Sequence, residues 1–500
     1  MESLDDFAPL GDMIAAIARA TPERVALQDE TQSQTWGEFD AAVDRVAAAL
    51  QREGIAPGET IAICASPTVD YLTTFLGAVR VGVAVSPLPP SATPASLAAM
   101  LEDCRARLLF ADAGTRAIFD REAILLDESL DRWLAPEGAR PKPVPIDPAW
   151  VFNTIYSSGT TGAPKGIDQS HGMRFAHTRR RLLSGYDAEA VTLISTPLYS
   201  NTTLVSVFPA LAGGGRVILM KKFDARRFLE IAETERVTHA MLVPVQYGRL
   251  LALPDFDSFD LSSFRMKFST SAPFAASLKR EVLARWPGGL AEYYGMTEGG
   301  GTCILFAHER PDKLHTVGQP AEGHDIRLID EAGREVGANE IGEVVGRSPA
   351  MMNAYRNAPE KTREAEWRDR QGQRFIRTGD IGRFDEDGFL VLLDRRKDMI
   401  ISGGFNIFPS DLETALLARP EVREAAVVGV PSTAWGETPV GFVVLREDAS
   451  SDPERLRVAV NESLGKMQRL AAIRIVEALP RSAIGKVLKR ELRATFGALP

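Results

Sequence analysis

Cysteine and histidine are scarce in this sequence: its 500 residues include three cysteines and six histidines. Cys64, Cys104 and Cys303 are odd in number and far apart, and none stands at metal-ligand spacing from a histidine. Neither a disulfide-stabilised fold nor a structural zinc site is therefore expected, and a reducing cytoplasm is the predicted compartment.

Long apolar runs and long basic runs are also missing. No apolar run approaches the ~18–20 residues that cross a bilayer. Glu2, Asp5 and Asp6 stand where a signal peptide would be positively charged, and residues 498–500 do not form a peroxisomal signal. The formal charge is −9, and the densest basic run, residues 179–181, is interpreted as a solvated helix face. We expect no membrane span and no nucleic-acid partner.

Helical and strand-like patterns alternate along most of the chain, which is too long for one compact core of ~250–300 residues. The alternation predicts an α/β fold whose large N-terminal domain contains parallel-rich sheets covered by helices. A segment with five prolines, residues 136–148, is predicted to be a linker. The predicted helices cover residues 35–50, 69–79, 93–106 and 225–235, and the predicted strands cover residues 60–65, 81–86, 108–111, 150–155, 190–195, 216–220 and 240–243.

A loop rich in glycine and hydroxyl groups follows the predicted strand 150–155. Its glycines let backbone N–H groups approach anionic oxygens, its hydroxyls donate, and Lys165 adds positive charge. The spacing differs from that of the P-loop, since Gly166 follows the lysine where Ser or Thr would hold Mg²⁺. A polyphosphate-binding loop is predicted, and a flexible surface loop is the alternative. The residues expected to bind phosphate are Ser157, Ser158, Gly159, Thr160, Thr161, Gly162 and Lys165.

Four further motifs follow in order. They are Tyr-Tyr-Gly-Met-Thr-Glu at 293–298, Arg-Thr-Gly-Asp at 377–380, the basic segment 394–398 leading into Gly403 and Gly404, and Pro-Arg-Ser-Ala-Ile-Gly-Lys at 480–486. With the glycine-rich loop, they resemble the adenylate-forming superfamily of acyl-CoA synthetases, peptide-synthetase adenylation domains and firefly luciferase, over nearly the whole chain. Acyl-CoA synthetases are the most similar branch.

The resemblance implies two domains, residues 1–394 and a mobile α+β domain at 395–500, with a hinge near Lys397. Rotation about this hinge would let one active site serve two half-reactions. Within the small domain we predict helices over residues 410–417 and 453–464, and strands over 425–430, 441–445 and 473–476.

The resemblance also implies the cofactors ATP, Mg²⁺ and coenzyme A, and a catalytic group made of Lys486, Thr297 and Glu298. Lys486 would bridge the acid carboxylate and the α-phosphate, Thr297 would donate to that phosphate, and Glu298 with Thr160 would hold Mg²⁺. Tyr294 would stack on adenine, with core packing as the alternative. Gly403 and Gly404 would let the pantetheine arm pass, with an ordinary turn as the alternative. The remaining cofactor-binding predictions are Ser271, Ala272, Pro273, Tyr293, Gly295, Met296, Asp380 for the ribose hydroxyls, and Arg395 for ribose or phosphate.

The predicted acyl pocket contains Tyr199, Ser200, Gly295 and Thr302. Gly295 stands where acetate-specific relatives carry tryptophan, and Tyr293 stands where malonate-specific relatives carry arginine. Ser200 replaces the usual bulky gating residue, which leaves the gating role open. A monocarboxylic acid larger than acetate is predicted, of medium chain length, alicyclic or aromatic.

The predicted function is that of an ATP-dependent acid:CoA ligase. Two alternatives remain: an adenylate-forming enzyme that delivers its acyl group to a carrier protein or another acceptor, and a nucleotide-binding protein without catalysis. A peptide-synthetase module is disfavoured because residues 196–201 contain no aspartate and no carrier domain follows. The sequence leaves monomer and homodimer open.

Overall fold

The computed structural model describes residues 7–127, 129–157, 165–179, 181–337, 339–402, 405–433, 435–447, 449–465, 468–482 and 485–496. The chain divides into two compact units. The larger unit comprises Met1–Asp325 and Gly346–Ile376, and the smaller comprises Ile326–Val345 and Arg377–Pro500. In the part of the chain described, no helix is both long enough and apolar enough to cross a membrane.

The helices follow the predicted order. They are α1 Leu10–Ala20, α2 Trp36–Arg52, α3 Val69–Arg80, α4 Pro94–Cys104, α5 Leu130–Trp133, α6 His171–Thr178, α7 Arg181–Ser184, α8 Asn201–Ala212, α9 Ala225–Thr234, α10 Pro244–Leu251, α11 Ala276–Arg285, α12 Pro359–Glu364, α13 Pro409–Leu417, α14 Pro453–Asn461 and α15 Lys489–Phe496.

The strands between them are mostly short. They are β1 Val25–Gln28, β2 Ser33–Thr35, β3 Thr60–Cys64, β4 Ala84–Pro87, β5 Leu108–Ala111, β6 Ile124–Leu125, β7 Val151–Ser157, β8 Lys165–Ser170, β9 Val191–Ile194, β10 Arg216–Leu219, β11 His239–Leu242, β12 Met266–Ser269, β13 Gly289–Gly295, β14 Thr302–Phe306, β15 Gln319–Pro320, β16 Asp325–Ile329, β17 Gly342–Arg347, β18 Ala354–Tyr355, β19 Glu366–Arg368, β20 Arg374–Phe384, β21 Leu390–Arg395, β22 Ile400–Ser402, β23 Phe405–Ile407, β24 Val422–Ser432, β25 Gly436–Leu445 and β26 Ala472–Ile475.

Local signals explain several element boundaries. Helix α2 begins after Thr35, whose side chain accepts from the Glu38 N–H while the Glu38 side chain accepts from the Thr35 N–H, a capping box. Strand β4 begins three residues later than predicted because Gly82 has φ +73° and turns the chain between α3 and the strand. Residues 136–148 form no helix or strand, as the predicted linker requires.

Two sheets form the larger unit. One has the order β15-β14-β13-β12-β11-β9-β10-β1-β2, with the strands from β13 to β1 parallel. The other has the order β18-β8-β7-β4-β3-β5-β6, with β7 to β6 parallel and β8 antiparallel to both its neighbours. One core cluster joins strands of both sheets to α2, α3 and α8. The predicted α/β class is therefore confirmed.

The smaller unit has a sheet covered on both faces. Strands β24 and β25 pair antiparallel, and β26 adds in parallel to β25. Val427 and Val443 contribute to one core cluster with α13 and α14, whereas Val428 and Phe442 contribute to another with Leu492 of α15. Successive side chains of one strand thus face opposite layers, as strand geometry requires. Strand β21 pairs with β20 in the same unit.

A buried ion pair connects α11 to β13, the strand that leads to the 293–298 motif. Lys279 and Glu292 form this pair, with side chains 2% and 6% exposed. The Lys279 ammonium also donates to the carbonyls of Leu314 and Thr316, at 2.9 and 3.0 Å. Burial raises the pKa of Glu292 to about 6, and the charge of Lys279 offsets part of that rise.

We predict that Lys279→Met lowers the free energy of unfolding by ~3–5 kcal/mol, because it leaves the Glu292 carboxylate buried without a cation. The double variant Lys279→Met/Glu292→Gln should lose less, since no buried charge remains. Urea denaturation followed by circular dichroism measures both. Equal losses in the single and double variants would contradict the ion-pair interpretation.

Candidate active site

The predicted phosphate loop connects two antiparallel strands, β7 and β8. Ser157 ends β7 and pairs with Lys165, which begins β8. The Lys165 ammonium lies 5.4 Å from the centre of the Tyr355 ring. Ser158, Gly159, Thr160, Thr161 and Gly162 lie outside the described residues, so their predicted contacts stay predictions. The hairpin nevertheless fixes both ends of the loop.

The two tyrosines of the 293–298 motif differ in their surroundings. Tyr293 stacks against Phe268, with ring centres 5.7 Å apart, and its hydroxyl lies 3.1 Å from the Ser184 hydroxyl. Tyr294, its neighbour in β13, points to the other face of the sheet and is half-buried. Tyr293 is half-buried as well, and its contacts make it a packing residue. The predicted contact of Tyr294 with adenine stays a prediction.

Hydrogen bonds hold the backbone of residues 297–299, at the end of the motif. Three successive carbonyls accept hydrogen bonds: Thr297 from Gln169 Nε2 at 2.7 Å, Glu298 from the Met352 N–H at 2.8 Å, and Gly299 from the Ser348 hydroxyl at 2.8 Å. Gly299 has φ +74°, and a Cβ there would lie 1.7 Å from a carbonyl oxygen of the 348–352 segment. Only glycine fits this turn.

Glu298 accepts a hydrogen bond from a residue that the sequence analysis missed. The Tyr355 hydroxyl donates to Glu298 Oε1 at 2.7 Å, across 57 positions of sequence. Burial and the nearby Glu298 charge raise the pKa of Tyr355, so its hydroxyl keeps its proton and remains a donor. No short sequence pattern connects two residues so far apart.

One carboxylate in this position suits Mg²⁺. Magnesium at phosphate sites is bound by one or two carboxylates and by the phosphates themselves, with water completing the shell. Tyr355 occupies Oε1 of Glu298 and leaves Oε2 for a cation. Among the residues described, no cluster of three or more His, Cys, Asp or Glu side chains could hold a metal alone. The residues thus fit a metal that arrives with a polyphosphate.

The structure brings two of the predicted acyl-pocket residues together. Gly295 and Thr302 are partners across β13 and β14, and a Cβ on Gly295 would lie 3.4 Å from Thr302 Oγ1. The Thr302 N–H donates to His324 Nδ1 at 2.8 Å, another contact that the sequence analysis missed. Tyr199 is half-buried, and burial raises its pKa. Ser200 is buried and precedes α8 as its N-cap residue.

Ser271, Ala272 and Pro273 follow β12. Ser271 has φ +78°, which is unusual for a residue with a side chain, and its hydroxyl is hydrogen-bonded to that of Thr202 in α8. Ser271 and Ala272 are half-buried, and Pro273 is exposed. The turn after β12 therefore contacts the first turn of α8 through this hydrogen bond.

The smaller unit collects several charged groups around Lys486. Asp380 and Arg395 are partners across β20 and β21 and form an ion pair at 2.9 Å. Burial lowers the pKa of Lys486 to about 8, and the positive charges of Arg395 and Lys397 contribute, whereas Asp380 and Asp398 oppose the shift. Lys486 thus shares one electrostatic environment with both predicted nucleotide-binding residues of this unit.

Two predicted glycines cannot be placed. Gly403 and Gly404 lie outside the described residues, between β22 and β23, which pair antiparallel. Lys397, the predicted hinge residue, lies just after β21, and burial lowers its pKa.

Comparisons with known proteins identify the family. Residues 14–356 match the AMP-binding enzyme family, and residues 411–486 match the AMP-binding enzyme C-terminal domain. The chain is 30% identical to a fatty acid–[acyl-carrier-protein] ligase, ScoC, of Streptomyces coeruleorubidus, covering 96% of this chain and 95% of the relative. It is 32% identical to a feruloyl-CoA synthase of an Amycolatopsis species, covering 98% of this chain and 99% of the relative. The ATP-bound structure of MatB from Rhodopseudomonas palustris is similar at a TM-score of 0.87 and 27% identity, covering 97% of this chain and 99% of that one.

The chain therefore belongs to the AMP-binding enzyme family, and the resemblance read from its motifs is confirmed. The enzyme class is that of the AMP-forming acyl-CoA synthetases, which use ATP, Mg²⁺ and coenzyme A.

We predict that Tyr355→Phe weakens MgATP binding and slows adenylation by ~10-fold or more, the usual effect of removing a hydrogen-bond partner from a metal ligand. The phenyl ring keeps the packing and the contact with Lys165. Titration calorimetry with ATP, with and without Mg²⁺, separates a metal effect from a nucleotide effect. Unchanged affinity for MgATP would contradict the role of Tyr355.

We predict that adenylation by the free enzyme slows as pH rises through about 8, where Lys486 loses its proton. The sign follows because burial and neighbouring cations disfavour the ammonium form. In the predicted role of Lys486, the ammonium form is the one that neutralises two anions. Lys486→Arg should move this limb to higher pH, and Lys486→Ala should lose ~10²–10³ in rate at every pH. The measurement is the pH profile of pyrophosphate release. A descending limb near pH 8 that persists in Lys486→Arg would assign the titration to another group.

Proposed function

We propose that this protein joins a monocarboxylic acid larger than acetate to coenzyme A at the expense of ATP. A carboxylate oxygen of the acid attacks the α-phosphorus of ATP and pyrophosphate leaves, giving an acyl-adenylate. The CoA thiol, after losing its proton, then attacks the acyl carbon, and AMP leaves with the electrons of the broken acyl–oxygen bond.

The barrier to the first step is the approach of two anions, and we assign its relief to three side chains. Lys486 neutralises charge between the acid carboxylate and the α-phosphate, and the Thr297 hydroxyl donates to a phosphate oxygen. Glu298, oriented by Tyr355, would hold Mg²⁺, which withdraws charge from the leaving pyrophosphate when bound. The fixed backbone at residues 297–299 supports the assignment, because it positions both side chains before substrate arrives.

Each predicted nucleotide-binding residue has a proposed role. Asp380 accepts from the ribose hydroxyls, Arg395 donates to ribose or phosphate, and Tyr294 stacks on adenine. The residues of the 157–165 loop bind the β- and γ-phosphates. Ser271, Ala272 and Pro273 complete this proposed binding surface with Met296.

We further propose that the small domain, residues 395–500, rotates about Lys397 between the two half-reactions. The catalytic lysine would otherwise block the path of the thiol to the acyl carbon, and Gly403 and Gly404 would then admit the pantetheine arm. The contact division begins the smaller unit earlier, at residues 326–345 and 377–394. Those residues belong to the same compact unit as the C-terminal region. In this proposal they precede Lys397 in the chain and do not rotate with residues 395–500.

The preference for a larger acid depends on one observation: Gly295 carries no side chain opposite Thr302, and even a Cβ there would lie 3.3 Å from the Gly301 carbonyl oxygen and 3.4 Å from Thr302 Oγ1. The preference for one carboxylate is supported by Tyr293, whose hydroxyl partners Ser184 and whose ring packs on Phe268, so that no cation is offered at this position. Ser200 is small and widens the pocket further.

Coenzyme A is the proposed acceptor, and a carrier protein is the second candidate. The name of the ScoC relative describes transfer to an acyl-carrier protein, whereas that of the feruloyl relative describes a CoA thioester.

A cytoplasmic location is also proposed, since Cys64, Cys104 and Cys303 are buried free thiols. Light scattering would distinguish a monomer from a homodimer.

The deciding experiment supplies purified protein with MgATP and a panel of aliphatic, alicyclic and aromatic acids, and measures pyrophosphate release with and without CoA. We expect acid-dependent release and a CoA thioester. Lys397→Pro should spare pyrophosphate release and slow thioester formation, because it restricts the pivot. Release without thioester, with acyl transfer to a carrier protein instead, would favour the second candidate.

We predict that Gly295→Trp lowers kcat/KM for large acids by more than ~100-fold while acetate is used as well as before or better. An indole at this position would fill the space beside Thr302, and loss of a pocket contact of several carbon atoms costs more than the ~1–3 kcal/mol of one methylene. Gly295→Ala is the matched control and should affect only the largest acids. Equal losses for acetate and large acids would place the acyl group elsewhere.

A further inference from the structure

Arg174 of α6 is a buried cation surrounded by neutral groups. Its side chain is 1% exposed. Nε donates to Asn153 Oδ1 at 2.8 Å, Nη1 donates to Asn201 Oδ1 at 2.9 Å and lies 3.4 Å from His177 Nδ1, and Nη2 donates to Gln169 Oε1. No carboxylate of a described residue forms an ion pair with Arg174.

Such a group is costly, because a charge removed from water normally needs an opposite charge to offset its desolvation. Burial lowers the pKa of Arg174 to about 9, which leaves the guanidinium charged at neutral pH. The ring of Phe208, centred 5.5 Å from its guanidinium carbon, adds a cation–π contact. A buried charge without an opposite charge lowers stability, and such groups are expected mainly at functional sites.

The consequence falls on Gln169, a fully buried residue of β8. Its Oε1 accepts from Arg174 Nη2 and, at 3.0 Å, from Asn153 Nδ2. Two donors on one side fix the orientation of the amide, since a flipped amide would point its N–H groups at a cation and at another donor. Gln169 Nε2 must therefore point away from Arg174, and it donates to the Thr297 carbonyl at 2.7 Å and, over a longer distance of 3.4 Å, to Asn201 Oδ1.

The Thr297 carbonyl belongs to the peptide that joins Thr297 to Glu298. A hydrogen bond to this oxygen fixes the plane of the peptide and, through it, the directions in which the two flanking side chains leave the backbone. Displacements of ~1 Å at a reacting centre can cost ~10²-fold in rate.

We propose that Gln169, held in one orientation by Arg174, is a positioning residue for Thr297 and Glu298. The inference rests on the proposed function, in which these two side chains contact MgATP. Gln169 itself touches no substrate in this proposal and acts through the backbone.

Two isosteric substitutions test the proposal. Gln169→Glu and Asn201→Asp each place a carboxylate against Arg174. Only Gln169→Glu also turns a carboxylate oxygen toward the Thr297 carbonyl in place of a donor. Asn201→Asp keeps an acceptor oxygen toward both Arg174 Nη1 and Gln169 Nε2, so the donor to Thr297 is retained. Gln169→Met removes the donor without adding a charge.

We expect the order of Tm and the order of kcat to be opposite for Gln169→Glu and Gln169→Met. Gln169→Glu should have a higher Tm than Gln169→Met, because it gives Arg174 an ion-pair partner. Its kcat for pyrophosphate release should nevertheless be the lower of the two, at least ~10-fold below that of the unaltered enzyme, with the KM for acid within ~3-fold. Asn201→Asp should keep kcat within ~3-fold.

A kcat for Gln169→Glu equal to that of Asn201→Asp would overturn the inference, as would kcat values that follow Tm across the three variants. If Gln169→Glu does not fold, the comparison of Gln169→Met with Asn201→Asp decides: equal kcat values overturn the inference. The proposed function fails separately, when the unaltered protein releases no pyrophosphate with any acid.

Discussion

The main constraint in this molecule is the hydrogen bonding of three successive carbonyls, those of Thr297, Glu298 and Gly299. Each accepts from a different side chain or amide, at 2.7 to 2.8 Å, and the donors come from β8 and from the 348–352 segment. The main-chain oxygens carry these three contacts, and the Gly299 N–H also donates to the Met296 carbonyl at 2.9 Å. On the proposed function, the Thr297 hydroxyl and one oxygen of Glu298 are the groups that meet MgATP, and the fixed backbone supplies the preorganisation that phosphoryl chemistry requires.

Charge is handled differently in the two units. In the larger unit, charges are buried and neutralised or solvated by fixed groups: Glu292 by Lys279, and Arg174 by three amides. In the smaller unit, burial lowers the pKa of Lys486, and the positive charges of Arg395 and Lys397 lower it further. An anion that binds next to such a buried lysine stabilises its protonated form. Binding of ATP and acid would restore its proton affinity, so the binding step itself prepares the catalytic group.

Local sequence signals predicted the parts of this protein that depend on neighbours in sequence. The helix predicted from residue 35 and the alternation of helices and strands depend on local patterns, and the structure places the corresponding elements where they were expected. Tyr355 and Gln169 were missed because each meets the motif across a long sequence separation, 57 and 128 positions. The antiparallel course of β7 and β8 was missed for a related reason: strand pairing depends on the sheet as a whole.

Ser200 and Asn201 are neighbours in sequence, and they connect the proposed acyl pocket with the backbone of residues 297–299. Ser200 belongs to the predicted pocket, and its neighbour Asn201 accepts from Arg174, which also orients Gln169 and hence Thr297. A substitution that shifts the start of α8 therefore also disturbs a buried network that reaches the Thr297 carbonyl. On the proposed function, acid specificity and catalytic rate are not independent in this enzyme. Changes at Gly295, which does not contact that network through any described hydrogen bond, offer the route by which pocket size can change alone.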